Sequence, residues 1–250
     1  MKISTYKDKL YAILSIVFLI ILWKGLSIFI GWEIILPTPE VTLKKLIEIM
    51  KSESFFIAVY NTVMRSLIGF FIALFLATVI GTLAGIFKPM YYLFSPLMNI
   101  IKATPTIAII LLALIWLGSE GTPILVGFLI IFPILYSNIV EGIHNVDSDL
   151  IVMATMYKVK RWRIIKELYF PSILSYLMAG ASTALGLNLK VVIAAEVLSQ
   201  SAVSIGEGMQ FEKIALNTAG VFSWTIVAII ISSLFDYSLK GLHKKMEKWK

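Results

Sequence analysis

Arg65, Asn188, Lys190 and Glu196 are polar or charged side chains set in stretches that are otherwise apolar. In a low-dielectric setting a guanidinium and a carboxylate can pair, and an amide or ammonium can line the route of a polar solute. Neither role makes or breaks a covalent bond. The chain has no H-E-x-x-H, no glycine loop with a following lysine and no G-x-S-x-G, so the familiar hydrolase and phosphate-cradling constellations are absent. Its two histidines, His144 and His243, fall at the ends of apolar runs, where solvation or capping accounts for them. There is no cysteine, which removes thiolate chemistry and disulfides. No catalytic residue, metal ligand or cofactor is expected.

A second cluster is of a different kind. Lys158, Lys160, Arg161, Arg163 and Lys166 crowd into nine residues of the stretch 147–171, DSDLIVMATMYKVKRWRIIKELYFP. Ile151, Met153, Ala154, Met156 and Tyr157 keep the same stretch partly apolar. Such a segment between two membrane spans stays in water, and its charge places it in the cytoplasm. Its apolar residues ask for a protein partner. Asp147 and Asp149 are placed to cap its first helix.

These residues need elements to hold them. Hydrophobic residues make up 59% of the 250 and charged residues 15%, the balance of a polytopic membrane protein. The predicted fold is all-α, with spans at 10–30, 57–87, 96–117, 123–141, 172–198 and 221–239. The N-terminal MKISTYKDK lacks a small-residue cleavage site downstream, so the first span is read as uncleaved. With the N-terminus inside, fifteen of the 22 Lys and Arg fall on the cytoplasmic side and four (Lys44, Lys45, Lys51, Lys213) outside. Both termini are therefore expected in the cytoplasm. This distribution, rather than the net charge of +7, sets the expected partners, and nucleic acid is not among them.

Two outer segments carry local signals. Thr38-Pro39-Glu40 is a helix start, and Leu43, Leu46, Ile47 and Met50 follow at helical spacing, so 38–51 reads as a short amphipathic helix on the outer surface. Residues 199–220 read as a re-entrant or lid-like outer loop. Gly81-x-x-x-Gly85 and Gly180-x-x-x-Ala184 offer close helix approach. Because the second and fifth spans run antiparallel, Arg65 and Glu196 are expected at similar depth and able to pair. That pair either staples two helices or, with Lys190 and Asn188, lines a polar path. Neutralising either residue should do harm, and a charge swap should recover part of it.

The residues also resemble a known family. Leu36-Pro-Thr-Pro39, the run from Ile100-Ile-Lys-Ala-Thr-Pro-Thr106 to Trp116-Leu-Gly118, Phe132-Pro133, Val146-Asp147 and Ala194-Ala195-Glu196 are similar to type I ABC-transporter permeases. Among these, the binding-protein-dependent nitrate, sulfonate and taurine branch is nearest, and the resemblance covers nearly the whole chain. The family's E-A-A-x-x-x-G element falls on Val152-Met153-Ala154 with Lys158 in the glycine position; Arg161-Trp162, Ile164 and Phe170-Pro171 match downstream. The resemblance implies that 147–170 is a coupling loop, with Met153, Ala154, Met156, Tyr157, Lys158, Val159, Arg161 and Trp162 against an ATPase. It implies that Lys158 keeps the sharp turn.

The expected function is that of a single-domain, six-span permease subunit in the plasma (inner) membrane, importing a small solute by alternating access. Its implied partners are two cytoplasmic ABC ATPase subunits, a second permease copy or paralogue, an extracytoplasmic substrate-binding protein and membrane lipid. Sulfonates, nitrate and thiamine-precursor pyrimidines are the branch's range. The rival readings are an ATP-independent secondary transporter or channel, which would need no docking loop, and an integral membrane enzyme, which would need clustered His, Asp or Glu near one interface.

Overall fold

A computed structural model describes residues 6–247. The side chains at 6–9, 12, 161, 239, 240 and 242–247 fall outside that description, and so do the expectations resting on His243 and on the lysines near both termini. The elements are α1 (Tyr6–Ile30), α2 (Pro39–Met50), α3 (Ser54–Ile86), α4 (Lys88–Ala103), α5 (Thr106–His144), α6 (Ser148–Met156), α7 (Arg161–Ile164), a π turn (Ile165–Tyr169), α8 (Phe170–Ser199), α9 (Ile205–Ile214) and α10 (Thr218–Glu247). Five helices among the described residues are long and apolar enough to cross a membrane.

One of the five, α5, is two arms. Gly118 interrupts it with φ 65° and ψ −171°, a conformation that glycine adopts without a Cβ clash. Ile109, Ile110 and Ala113 before the break share a buried cluster with Val126 after it. Farther from the turn, Lys102 Nζ donates to Ser137 Oγ at 2.9 Å. Tyr91 and His144 rings lie 6.0 Å apart farther still. Contacts that pair ever earlier residues with ever later ones require antiparallel arms, so α4 and residues 106–117 make one pass and 119–144 the return. The third pass thus starts at Lys88, earlier than the expected 96, and is broken at Thr104-Pro105. Lys102 lies within this arm, as it does in the expected span 96–117, although it was also counted among the fifteen cytoplasmic charges.

The core is α3, the 119–144 arm and α8. Down α3, Gly69, Ala73, Ala77, Gly81 and Gly85 recur every fourth residue and so share one face. A Cβ added at Gly81 would meet Ile139 at 3.1 Å, and one at Gly85 would meet Ile143, so this face lies on the arm in parallel register. α8 runs antiparallel to the arm: Gly142 abuts Ile173 and Tyr176, and Gly180 abuts Asn138. Small residues allow this approach where lipid supplies no hydrophobic drive between helices. A Cβ at Gly69 would fall 2.9 Å from the Ile124 carbonyl oxygen, a backbone atom that cannot rotate away. Gly69→Ala is expected to destabilise the protein by about 1–3 kcal/mol, read as a lowered thermal midpoint in detergent.

At one end of the bundle sit α2 and α9. Thr38 caps α2, its Oγ1 accepting from Val41 N at 3.4 Å, with Pro39 in the first turn. Within 199–220, read from sequence as a re-entrant or lid-like outer loop, the chain forms α9 after a short connection and packs it on α10. Ser204 caps α9 by accepting from Glu207 N at 3.0 Å. The Ser-x-x-Glu spacing of a helix start was present in the sequence.

Candidate functional site

The chain closes its α2–α9 end with a buried polar clasp. Arg65 on α3 donates from Nη1 to Glu196 Oε1 on α8 at 2.9 Å. Thr62, one turn earlier, donates from Oγ1 to the other oxygen, Oε2, at 2.9 Å, and the Gly206 amide donates to the same oxygen at 3.2 Å. Glu196 is fully buried, with its carboxylate matched by three donors. The second guanidinium nitrogen of Arg65 reaches Glu120 Oε2 and the Ala202 carbonyl. Glu120 follows the Gly118 turn, and its other oxygen accepts from Ala202 N at 2.9 Å.

One guanidinium therefore joins α3, the hairpin turn of α5, the end of α8 and the loop into α9. That loop is held in an unusual shape: Gln200 and Val203 have φ of 52° and 44°. A β-branched residue in the left-handed region is strained and persists only where its surroundings fix it. Here Asn61 Nδ2 donates to Val203 O at 2.9 Å and Ser201 Oγ donates to Ser119 O at 2.7 Å.

Arg65 and Glu196 were expected together from the sequence; Thr62 and Glu120 were not. Glu120 lay between two assigned spans and read as a loop residue. An arginine at 196 would meet the Gly206 N–H, which can only donate, while the Thr62 hydroxyl can turn to accept from it, so the swap should restore part of the loss and not all of it.

Asn188 sits deeper, fully buried between α3 and α8. Its amide donates to Ser66 O at 2.6 Å and to Ser66 Oγ at 3.1 Å. Its Oδ1 rests against Gly127, where an added Cβ would be 2.5 Å away. Asn188 thus ties helices and touches no open path in this conformation. Lys190 is separate from the clasp, exposed on the α10 side of α8.

The opposite end carries the basic stretch. Asp147 caps α6 by accepting from Asp149 N at 2.9 Å. α6 ends in a Schellman turn: Lys158 N donates to Thr155 O at 3.0 Å and Val159 N to Ala154 O at 2.9 Å. Lys158 occupies the left-handed position with φ 51°. The sharp turn is kept without glycine. Lys158→Gly is therefore expected to be tolerated and to stabilise the loop by at most about 1 kcal/mol, the left-handed cost being offset in part by a more flexible unfolded chain. Hydrogen exchange of α6 amides measures this, and faster exchange would contradict it.

Beyond the turn, α7 and the π turn lead into α8. Pro171 has no N–H and its ring crowds the carbonyl four residues back; the wider π turn, with Phe170 N bonded to Ile165 O, accommodates it. Met153, Met156, Tyr157 and Trp162 project outward; Met156, Tyr157 and Trp162 are 78%, 79% and 71% exposed. Ala154 and Val159 are half-buried and, with Met153, Tyr157, Ile164 and Leu168, line a hollow of about 280 Å³. The Arg161 side chain lies outside the described residues. Large apolar side chains thus stand exposed on a loop rich in charge, the kind of patch that meets another surface.

Bundle, clasp and loop together define a polytopic helical membrane protein with a basic loop bearing exposed apolar side chains at one end. Residues 69–248 match the family model described as "Binding-protein-dependent transport system inner membrane component". The chain belongs to this family, the permeases of type I ABC importers. It is 25% identical over 218 residues to the putative aliphatic sulfonates transport permease protein SsuC of Bacillus subtilis, covering 86% of this chain and 78% of that protein. It is 24% identical over 239 residues to the taurine transport system permease protein TauC of Escherichia coli, covering 93% and 86%. Its fold is similar to an inward-facing structure of the MetNI methionine ABC transporter, with TM-score 0.63, 16% identity and 78% and 98% of the two chains covered.

Proposed function

We propose that this chain is the membrane subunit of an ATP-driven importer in the plasma membrane, moving a small sulfonate, nitrate or thiamine-precursor-like solute by alternating access. The α6–α7 end faces the cytoplasm with both termini, and the α2–α9 end faces outward. Two copies, or one copy and a paralogue, form the pathway. Two ATPase subunits hydrolyse ATP on separate chains, and an extracytoplasmic binding protein delivers the solute. Met153, Ala154, Met156, Tyr157, Lys158, Val159, Arg161 and Trp162 form the ATPase contact. The Arg65–Glu196 clasp holds the outward end of the bundle together, and Lys190 borders the solute's route.

The observation that carries this reading is the loop. Three large apolar side chains stand exposed around a left-handed turn at Lys158, among basic residues and beside the membrane. A channel or secondary carrier has no use for such a surface. The kinship with SsuC and TauC supports the substrate class, since those proteins are named for sulfonate and taurine transport. The test is affinity purification of the tagged chain from its native host. Recovery of a stoichiometric ABC ATPase, and solute uptake into proteoliposomes that requires internal ATP, are expected. Uptake that proceeds without ATP would overturn the reading.

A further inference from the structure

A hollow of about 400 Å³ opens between α2 and α9, at the end of the bundle that the clasp closes. Trp224 of α10 forms its base, 7% exposed, with its ring stacked on Phe55 at 5.8 Å. Gly208 lets α9 settle onto that ring, since a Cβ there would collide with it. Ile49, Val203 and Phe211 give the hollow apolar walls. Three carboxylates line the same space, Glu48, Glu207 and Glu212, against a single ammonium, Lys45. That ammonium is already shared, 3.4 Å from Glu212 and 4.0 Å from Glu48. Glu212 is buried and also accepts from Asn217 Nδ2 at 2.6 Å.

Negative charge is therefore in surplus. Among the described residues, which include every side chain lining the hollow, Glu207 has no ion-pair partner within 4.0 Å. Glu48 has only the loose contact to Lys45. Both are exposed. Glu207, Phe211 and Ile214 recur at helical spacing on one face of α9, and Phe211 and Ile214 are 69% and 72% exposed. Apolar walls with surplus carboxylates fit a cation on a long apolar stem, which is the design of lysine and arginine. The Trp224 ring adds attraction for such a cation. An acidic lipid headgroup would be repelled by Glu48 and Glu207, and a bare metal ion would leave the apolar walls unused. We infer that the α2–α9 hollow is a socket for a lysine or arginine side chain of the extracytoplasmic binding protein, with Phe211 and Ile214 as the apolar contact beside it. This assignment rests on the importer reading and names the surface on which that partner sits. Contact there bears on the clasp, because Val203 and its neighbour Ala202 are held by Asn61, Glu120 and Arg65.

The chain has no cysteine, so Ser52→Cys places a single thiol on the lining of the hollow. In lipid nanodiscs that thiol should react at least about tenfold faster with a cationic methanethiosulfonate than with an anionic one, after correction for their rates on a free thiol. Glu48→Gln with Glu207→Gln should remove the preference. The partner is tested with the binding protein that drives ATP-dependent uptake into proteoliposomes. Glu48→Lys with Glu207→Lys should raise the binding-protein concentration for half-maximal uptake at least about tenfold, with ATPase copurification retained. Glu33→Lys, on an exposed carboxylate outside the hollow, should not. A benzophenone carried on the introduced thiol should cross-link to a binding-protein peptide that contains lysine or arginine. Equal reaction of the two reagents, an unchanged half-maximal concentration, an equal shift with Glu33→Lys, or cross-linking to lipid alone would overturn the assignment. If the lysine variant fails to fold, the reagent preference and the cross-link decide. Uptake that needs neither ATP nor a binding protein defeats the importer reading, whereas ATP-driven uptake with an unmoved half-maximal concentration defeats only the socket.

Discussion

Arg65→Met is expected to lower the stability of the folded chain by about 3–5 kcal/mol, the largest effect of any single substitution in the clasp. The substitution leaves the fully buried Glu196 carboxylate without its charged partner and sets Glu120 loose from the same nitrogen cluster. Thr62 and the Gly206 amide still donate to Glu196, so the loss is not total. Glu196→Gln should be milder: its amide oxygen still accepts from Thr62 and Gly206, and Arg65 keeps Glu120, which offsets part of the cost of an NH2 donor facing the guanidinium. The double variant Arg65→Met/Glu196→Gln should then be less unstable than the sum of the singles by at least about 1 kcal/mol. Thermal unfolding in detergent, followed by size exclusion, reads all three. Additive losses would show that the two side chains act independently.

The clasp also shows what a sequence of this kind yields and what it withholds. Arg65 and Glu196 were visible because a charge in an apolar run is rare and antiparallel spans set their depth. Asn188 was visible for the same reason, but its role was not, since nothing in the one-dimensional pattern separates a residue lining a path from one bonded to Ser66 across a helix pair. Glu120 was hidden because its partner is chosen by the Gly118 turn, which folds the third pass against the fourth. The same turn gives Lys102 a partner that no one-dimensional pattern names, Ser137 on the returning arm. The face of α3 that carries Gly81 and Gly85 was partly legible, but its extension through Ala77, Ala73 and Gly69 becomes significant only once the facing arm is known to run parallel.

Met156→Asp combined with Arg161→Glu is expected to abolish ATP-dependent transport while the chain still inserts and folds. Met156 closes α6 and is 78% exposed, so within its own chain the new carboxylate loses little packing. Its main internal cost is an anion at a helix C-terminus, about 0.3–1 kcal/mol. Against a partner the balance differs. A methionine that fits an apolar pocket becomes a desolvated carboxylate, and a basic neighbour becomes acidic, so the ATPase surface must tolerate two reversed features at once. An affinity loss of at least about 100-fold, near 2.7 kcal/mol, is the expected scale. The measurement pairs ATPase copurification with uptake into proteoliposomes, and an Arg163→Glu control tests charge without the apolar change. The control matters because Arg163 is also exposed and carries only a loose contact to Glu167 at 3.9 Å. If the double variant transports normally, the left-handed turn at Lys158 and the side chains around it serve something other than the ATPase. If Arg163→Glu fails equally, general charge rather than the apolar knob at Met156 governs docking.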